Sequence, residues 1–406
     1  MRSSRVPIFA LAAAIWMVAG PGSANAAQVS CGSTITADTT LRSDLSNCPG
    51  DGLTIGADNI TLDLGGHAID GDAVAGTADA DAGVQLTGHH GVKLQNGTVQ
   101  EFGTGVLLDA ATGNQLRRLT VLRSGARGVQ LQNGSNGNRL DAIHSNDNGR
   151  TGIVMLSSDH NLVTHSTAAR NTQTGIGIVV GAHNVIEDGD FSDNEVGVFL
   201  SEATDGTLES TVASRNSDEG IVLDTSDRNT VSHNRVSRNA GQVIVVGDRN
   251  VVAANLVLDA PACLEGCSIG ISMEGGVANL VVGNVVSGAK RMGIRVDAFV
   301  PFGGVPAIGT VIRDNLVRDP GVDGIAVNTD PGGGGPVTGT VVQGNVVAGA
   351  LEAGIHVASP ATTIRRNLAL RNGGLGIDAV PGVTDGGGNR AVLNGDPLQC
   401  VNVFCR

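Results

Sequence analysis

Six polar side chains carry the chemistry that can be read from this chain: Glu274, Arg295, Asp297, Asn328, His356 and Asp378. An acid, a base, a cation and an amide in one groove are the least that proton chemistry on a sugar requires. In that scheme His356, Asp378, Arg295 and Asp297 are the catalytic candidates. Glu274 and Asn328 would hold substrate. The competing reading is a row of solvated charges on an outer strand. A second cluster, Asp70, Asp72, Asp79 and Asp81, supplies hard oxygen ligands of the kind Ca²⁺ takes. It lacks EF-hand and nonapeptide calcium spacing, so a solvated acidic loop is the favoured reading. Calcium is the only cofactor these residues suggest.

The elements that must position these groups follow from a repeated phrase, Gly, Ile or Val, any residue, then usually Val or Leu. It begins at Gly83, Gly105, Gly128, Gly152, Gly175, Gly197 and Gly220, in steps of 22 to 24 residues. Looser copies begin at Gly241, Gly270, Gly293, Gly324, Gly354 and Gly376. A fixed period of this size marks a repeat architecture. Asn keeps phase with the glycines at Asn138, Asn161, Asn184, Asn229, Asn250 and Asn279, and Thr310, Thr340 and Thr362 take its place later. A third phrase follows, as in Asn234-Arg235-Val236 and Asn284-Val285-Val286.

Each unit therefore holds three short β-branched runs separated by turn residues, the pattern of strands. No two-residue hairpin loops join them. No amphipathic helix intervenes, so a doubly wound fold is excluded. The strands must pair in parallel with their copies in the next unit. The expected fold is all-β, a single-stranded right-handed parallel β-helix of about 13 coils with disulfide-bonded end caps. Ile153, Ile176, Val198, Ile221, Ile271, Ile294, Ile325, Ile355 and Ile377 should stack as one inward column. The Asn series reads as scaffold, through left-handed turns and axial hydrogen bonds. Positions two and four after each glycine should face outward. They are bland through Val154, Gly177, Phe199, Val222 and Val243, and turn polar from Gly270 onward. Phe199 with Val154, Val222 and Val243 makes a modest outward apolar strip. The longer units here add loops at Ala298–Gly309 and Thr329–Gly339 that would wall a groove. His160, His183, Arg228 and Arg249, each just before a column Asn, read as solvated turn residues, with a weak basic binding column on another edge as the rival.

The ends divide the chain into a secretory signal at 1–26, an N-terminal cap at 27–57, the helix at 58–380 and a C-terminal cap at 381–406. Arg2 and Arg5, the apolar run Ile8–Ala19 and Ala24-Asn25-Ala26 make the signal. An exported protein, secreted or in the cell envelope, is expected, with no membrane span. Six cysteines suit that compartment. Fifteen pairings are possible; the local pairs Cys31/Cys48, Cys263/Cys267 and Cys400/Cys405 are expected because they lie far apart along a rod. Metal binding is the rival, without a zinc spacing to support it. The formal charge is −13, two units more negative once Arg2 and Arg5 leave. Nucleic acid and anionic membranes are poor partners for it. A polysaccharide or cell-envelope component fits better, and a monomer is expected. The only Trp, Trp16, lies in the signal and Tyr is absent, which leaves few platforms for sugar rings.

The segment Asn59-Ile60-Thr61-Leu62-Asp63-Leu64-Gly65-Gly66-His67-Ala68-Ile69-Asp70-Gly71 resembles the opening coil of secreted bacterial right-handed β-helix proteins of the pectate-lyase-like superfamily. The end, Asp385-Gly386-Gly387-Gly388-Asn389-Arg390 through Cys400 and Cys405, is similar to C-termini in that group. The resemblance covers nearly the whole mature chain. It implies the β-helix fold and leaves open roles from polysaccharide lyases, hydrolases and epimerases to adhesin-like surface scaffolds without catalysis. Asn328-Thr329-Asp330 resembles the Asn-Thr-Asp motif of polygalacturonases, whose companion Gly-His-Asp and Arg-Ile-Lys motifs are absent. The Tyr of the alginate-modifying branch is missing. Arg295 between Glu274 and Asp297 loosely resembles the Arg and carboxylates of pectate lyases.

Overall fold

In the computed structural model, residues 29–72, 81–261, 268–298, 305–328 and 335–406 are described. They form an all-β parallel solenoid, and none of the described residues is helical. One face is a sixteen-stranded parallel sheet that runs from Ser33–Ile35 to Cys400–Val401. The strand count corrects the coil number. Ser33–Ile35 and Leu53–Ile55 add rungs before Gly83, and Cys400–Val401 adds one after Gly376. Both end segments thus continue the sheet. Each end is closed by a disulfide, Cys31–Cys48 and Cys400–Cys405. Cys263 and Cys267 lie outside the described residues, as do residues 1–28.

The other faces change along the rod. Lys93–Gln100, Gln115–Leu122 and Arg139–Asn146 are single strands of eight residues. Each bends at a left-handed residue, Asn96, Arg118 and Ala142. From Thr207–Glu209 and Val212–Ser214 onward, the same path is two short strands, and the second of each coil joins an eight-stranded sheet.

The inward column is continuous. Ile153, Ile176, Val198, Ile221, Val243, Ile271, Ile294, Ile325, Ile355 and Ile377 are register partners in succession. All are buried in one core. The repeat glycine is required by close approach: a Cβ on Gly175 would lie 2.7 Å from the Gly197 carbonyl oxygen and 2.8 Å from Asn194 Nδ2. One repeat departs from the expected phase. Gly220 lies between Glu219↔Gly241 and Ile221↔Val243, so Gln242 takes the glycine's place. Gln242 is fully buried and exchanges hydrogen bonds with Asn239. Val243 and Val245 therefore face inward, and Ile244 takes the outward place expected for Val243.

The Asn columns are scaffold through the expected axial hydrogen bonds, and only the place of the left-handed turn differs. The left-handed residue is the one before each Asn, such as His160, His183, Arg228 and Arg249. The Asn side chains turn inward instead. Asn138, Asn161 and Asn184 are buried, and each Oδ1 accepts the backbone N–H of the Asn one coil earlier. Buried backbone groups at turns need such partners. Thr310, Thr340 and Thr362 fill the same column, but their hydroxyls find no hydrogen-bond partner. A hydroxyl on Cβ is too short to repeat the amide's reach.

Candidate functional site

The outward column on the long sheet has the register expected from sequence. Ser272, Arg295, Ala326, His356 and Asp378 are successive partners. The apolar strip that precedes them runs Val154, Gly177, Phe199, Val222, Ile244.

Accessibility divides the polar column in two. Arg295 is 2% exposed and Asp297 fully buried. Arg295 donates from Nε to Ser272 Oγ at 3.1 Å and pairs with Glu274 through its terminal nitrogen. Ser272 also donates to Glu274 at 2.9 Å. Beside them Ile269, Met292 and Ala326 form a small apolar cluster apart from the main core. Alternation correctly points Arg295 away from the core, yet its side chain is buried. Asp297 accepts the Ala298 N–H at 2.9 Å. Asn328 is half-buried with a left-handed φ of 53°. Segments 299–304 and 329–334, the heart of the expected groove walls, lie outside the described residues. The ends of these insertions, Ala307–Ile308 and Val337–Thr338, return to pair in a short sheet with Gly276–Val277.

His356 and Asp378 lie side by side on adjacent strands, yet the hydrogen bond goes elsewhere. His356 Nδ1 is 3.0 Å from Asp323 Oδ2. Asp323 is buried, and its other oxygen accepts the Ala353 N–H at 3.0 Å. A carboxylate only accepts, so Nδ1 carries the proton and Nε2 is left for another partner. The Asp323 hydrogen bond raises the His356 pKa above its usual 6.5 against the opposing effect of burial, and the charges of Asp323, Asp378 and Glu352 add to the rise. Asp323 is the residue that sequence reasoning missed. It directly precedes Gly324, where Ile269, Met292, Ala353 and Leu375 stand before their glycines. A lone carboxylate in that row was the available signal.

Glu219, also directly before a repeat glycine, is the other perturbed group on this face. Burial pushes its pKa to about 7, helped by the charge and hydrogen bond of Asp218 and the charge of Glu274. The folded value exceeds the unfolded one, so this contribution to stability is complete below pH 4.5 and is lost as pH rises through 7. Glu219→Gln should therefore raise the thermal midpoint at pH 8 relative to the native chain and leave it nearly level at pH 4. Parallel melts at the two pH values check this.

The acidic loop is not seen as a unit. Asp70 accepts from Gln100 Nε2, and Asp81 accepts the Gly103 N–H. Asp79 lies outside the described residues. Among the described residues, no three His, Cys, Asp or Glu side chains gather as a metal-binding group. No helix of the described residues is long and apolar enough to cross a membrane.

The described residues build a parallel β-solenoid with stacked Asn columns and a polar patch on its long sheet. The family described as a right-handed beta helix region matches residues 104–257 and 139–298. Among solved structures, the chain is similar to the periplasmic alginate epimerase AlgG, at 13% identity and a TM-score of 0.54 over 76% of each chain. It is also similar to the A-module of the mannuronan C-5 epimerase AlgE4 of Azotobacter vinelandii, at 14% identity and a TM-score of 0.47 over 78% of this chain and 86% of that one. A third is the DFA-IIIase of Arthrobacter chlorophenolicus without its lid, at 12% identity and a TM-score of 0.45 over 69% and 70%. At these identities the likeness is one of fold. No curated protein matches the chain in sequence.

Proposed function

We propose that this is an exported β-helix protein that binds or modifies a polysaccharide on the outer face of its C-terminal coils. The observation that carries the reading is the half-exposed His356 held by the buried carboxylate of Asp323. A histidine oriented through one nitrogen presents the other as a proton donor or acceptor, and Asp378 stands beside it for a second transfer. The raised pKa keeps more of the imidazole protonated near neutrality, which suits a general acid. Asn328 would meet substrate. Glu274 and Arg295, paired with each other, would hold the floor of the groove. The shared fold of the periplasmic alginate epimerase supports the carbohydrate reading at the level of architecture. Two disulfides support an oxidising, extracytoplasmic location.

The burial of Arg295 and Asp297 favours a second reading, a non-catalytic envelope scaffold, because it removes two of the expected catalytic groups from contact with a substrate. A panel of neutral glycans and uronans separates the two. Lyase products are followed by ultraviolet absorbance, and binding by calorimetry. A product that disappears in His356→Ala supports the enzyme. Activity untouched by both His356→Ala and Asp378→Ala would sink the site assignment. No product and no bound glycan leave the scaffold.

A further inference from the structure

The nine histidines of this chain are not used alike. His67, His89, His90, His165, His233 and His356 each lie against a carboxylate oxygen. His144 meets the Thr167 hydroxyl at 3.0 Å. His160 and His183 have neither: their contact is with each other, ring centroids 4.8 Å apart and planes tilted by 33°. Both are exposed. Both occupy the left-handed turn position before a buried Asn, with φ of 57° and 56°. The ladder below them therefore fixes their backbones one coil apart. On one side the same turn position is Gly137, which has no side chain to meet the ring of His160. On the other it is Asp205, held by two bonds to Arg228 at 2.8 and 2.7 Å.

We propose that His160 and His183 form a bidentate site for a divalent transition-metal ion on the side of the rod, coils away from His356. Neutral imidazole nitrogen is a preferred ligand of Cu²⁺, Ni²⁺ and Zn²⁺. Two rings on adjacent coils bring such nitrogens to one ion after rotation about χ2, a broad and soft torsion. Among the described residues, neither ring has a hydrogen bond to an oxygen to break first, whereas His67, His89, His144, His165, His233 and His356 each hold one. Since no third protein ligand gathers there among the described residues, water completes the coordination. Affinity should follow the general order for such donors, with Cu²⁺ tightest.

Calorimetric titration of the untagged chain with Cu²⁺, Ni²⁺ and Zn²⁺ tests this. One Cu²⁺ per chain is expected, bound more tightly than Ni²⁺ or Zn²⁺. His160→Asn and His183→Asn should each weaken Cu²⁺ at least tenfold. Asn is chosen because it accepts the left-handed conformation, and equal melting in chelator verifies the fold. His144→Asn and His233→Asn should bind as the native chain does. The copper electron paramagnetic resonance spectrum should show two nitrogen couplings, reduced in either single variant. Binding unchanged in both single variants, or native binding no tighter than in the double variant, overturns the site.

Discussion

Asn284→Ala should lower the unfolding free energy by about 2–4 kcal/mol, counting about 1–3 kcal/mol for the buried polar group left without a partner and about 1 kcal/mol for the other hydrogen bonds lost. Asn284 Oδ1 accepts from both the N–H and Nδ2 of Asn255, at 2.9 and 3.0 Å. Its own amide donates to the Val252 carbonyl and to Asn315 Oδ1, at 2.9 and 3.0 Å. Alanine strands the Asn255 N–H in an interior without water, takes the second donor from the Val252 carbonyl, and removes contacts on both adjacent coils. A loss of this size is a large share of a typical total of about 5–15 kcal/mol. Coils touch only their neighbours, so the damage should open the rod near Asn284 before its ends. Denaturant melts give the loss, and amide exchange places it. Arg170→Ala is the contrast. Arg170 binds Asp147 through two bonds of 2.8 Å, but both side chains are about half exposed. Such a pair contributes at most about 1 kcal/mol. Equal midpoints for Asn284→Ala and the native chain would refute the ladder as the main polar support of the core.

The fold was legible because each repeat states the same physics. Gly175 leaves room for the next backbone, Ile176 stacks on its copies, and Asn184 bonds the coil before. Where the physics is carried by another residue type, the phrase misleads. Gln242 fills a glycine position by folding its amide onto Asn239, and the apparent repeat at Gly241 falls one residue out of phase. Thr310 resembles the Asn it replaces only in position. The site was half legible for a similar reason. Strand alternation gives the direction of Arg295 and His356 but not what lies over them. Arg295 is buried against Ser272 and Glu274, a pairing that alternation does not announce. Asp323 contacts His356 from the turn before its own strand, across 33 residues. Periodicity along the columns does not mark such a diagonal contact.

Asp323→Asn should lower the pKa of His356 and uncouple it from the proton transfer proposed for it. The amide keeps the shape and one acceptor, so the Ala353 N–H or the imidazole can still be met. The negative charge and the stronger charge-assisted bond are lost. Burial, which opposes the charged imidazole, then acts with less opposition. Because the native pKa is raised above 6.5, the stabilisation it brings is fully present below pH 6.5 and fades as pH rises through the folded value. The stability difference between native chain and variant should therefore be widest in acid and narrow toward alkaline pH. A carboxylate with only a structural role would give a difference that does not vary with pH across this window. Nuclear magnetic resonance of the imidazole protons reads the pKa directly, and an unchanged value in Asp323→Asn would remove Asp323 as its cause. If a glycan substrate is found, His356→Ala should cost about 10²–10⁴ in rate, the usual reach of a positioned acid or base. Asp323→Asn should cost less and move the pH–rate profile toward acid, since the imidazole now loses its proton earlier. A rate loss in Asp323→Asn without that shift would mean that Asp323 only holds the turn at Ala353.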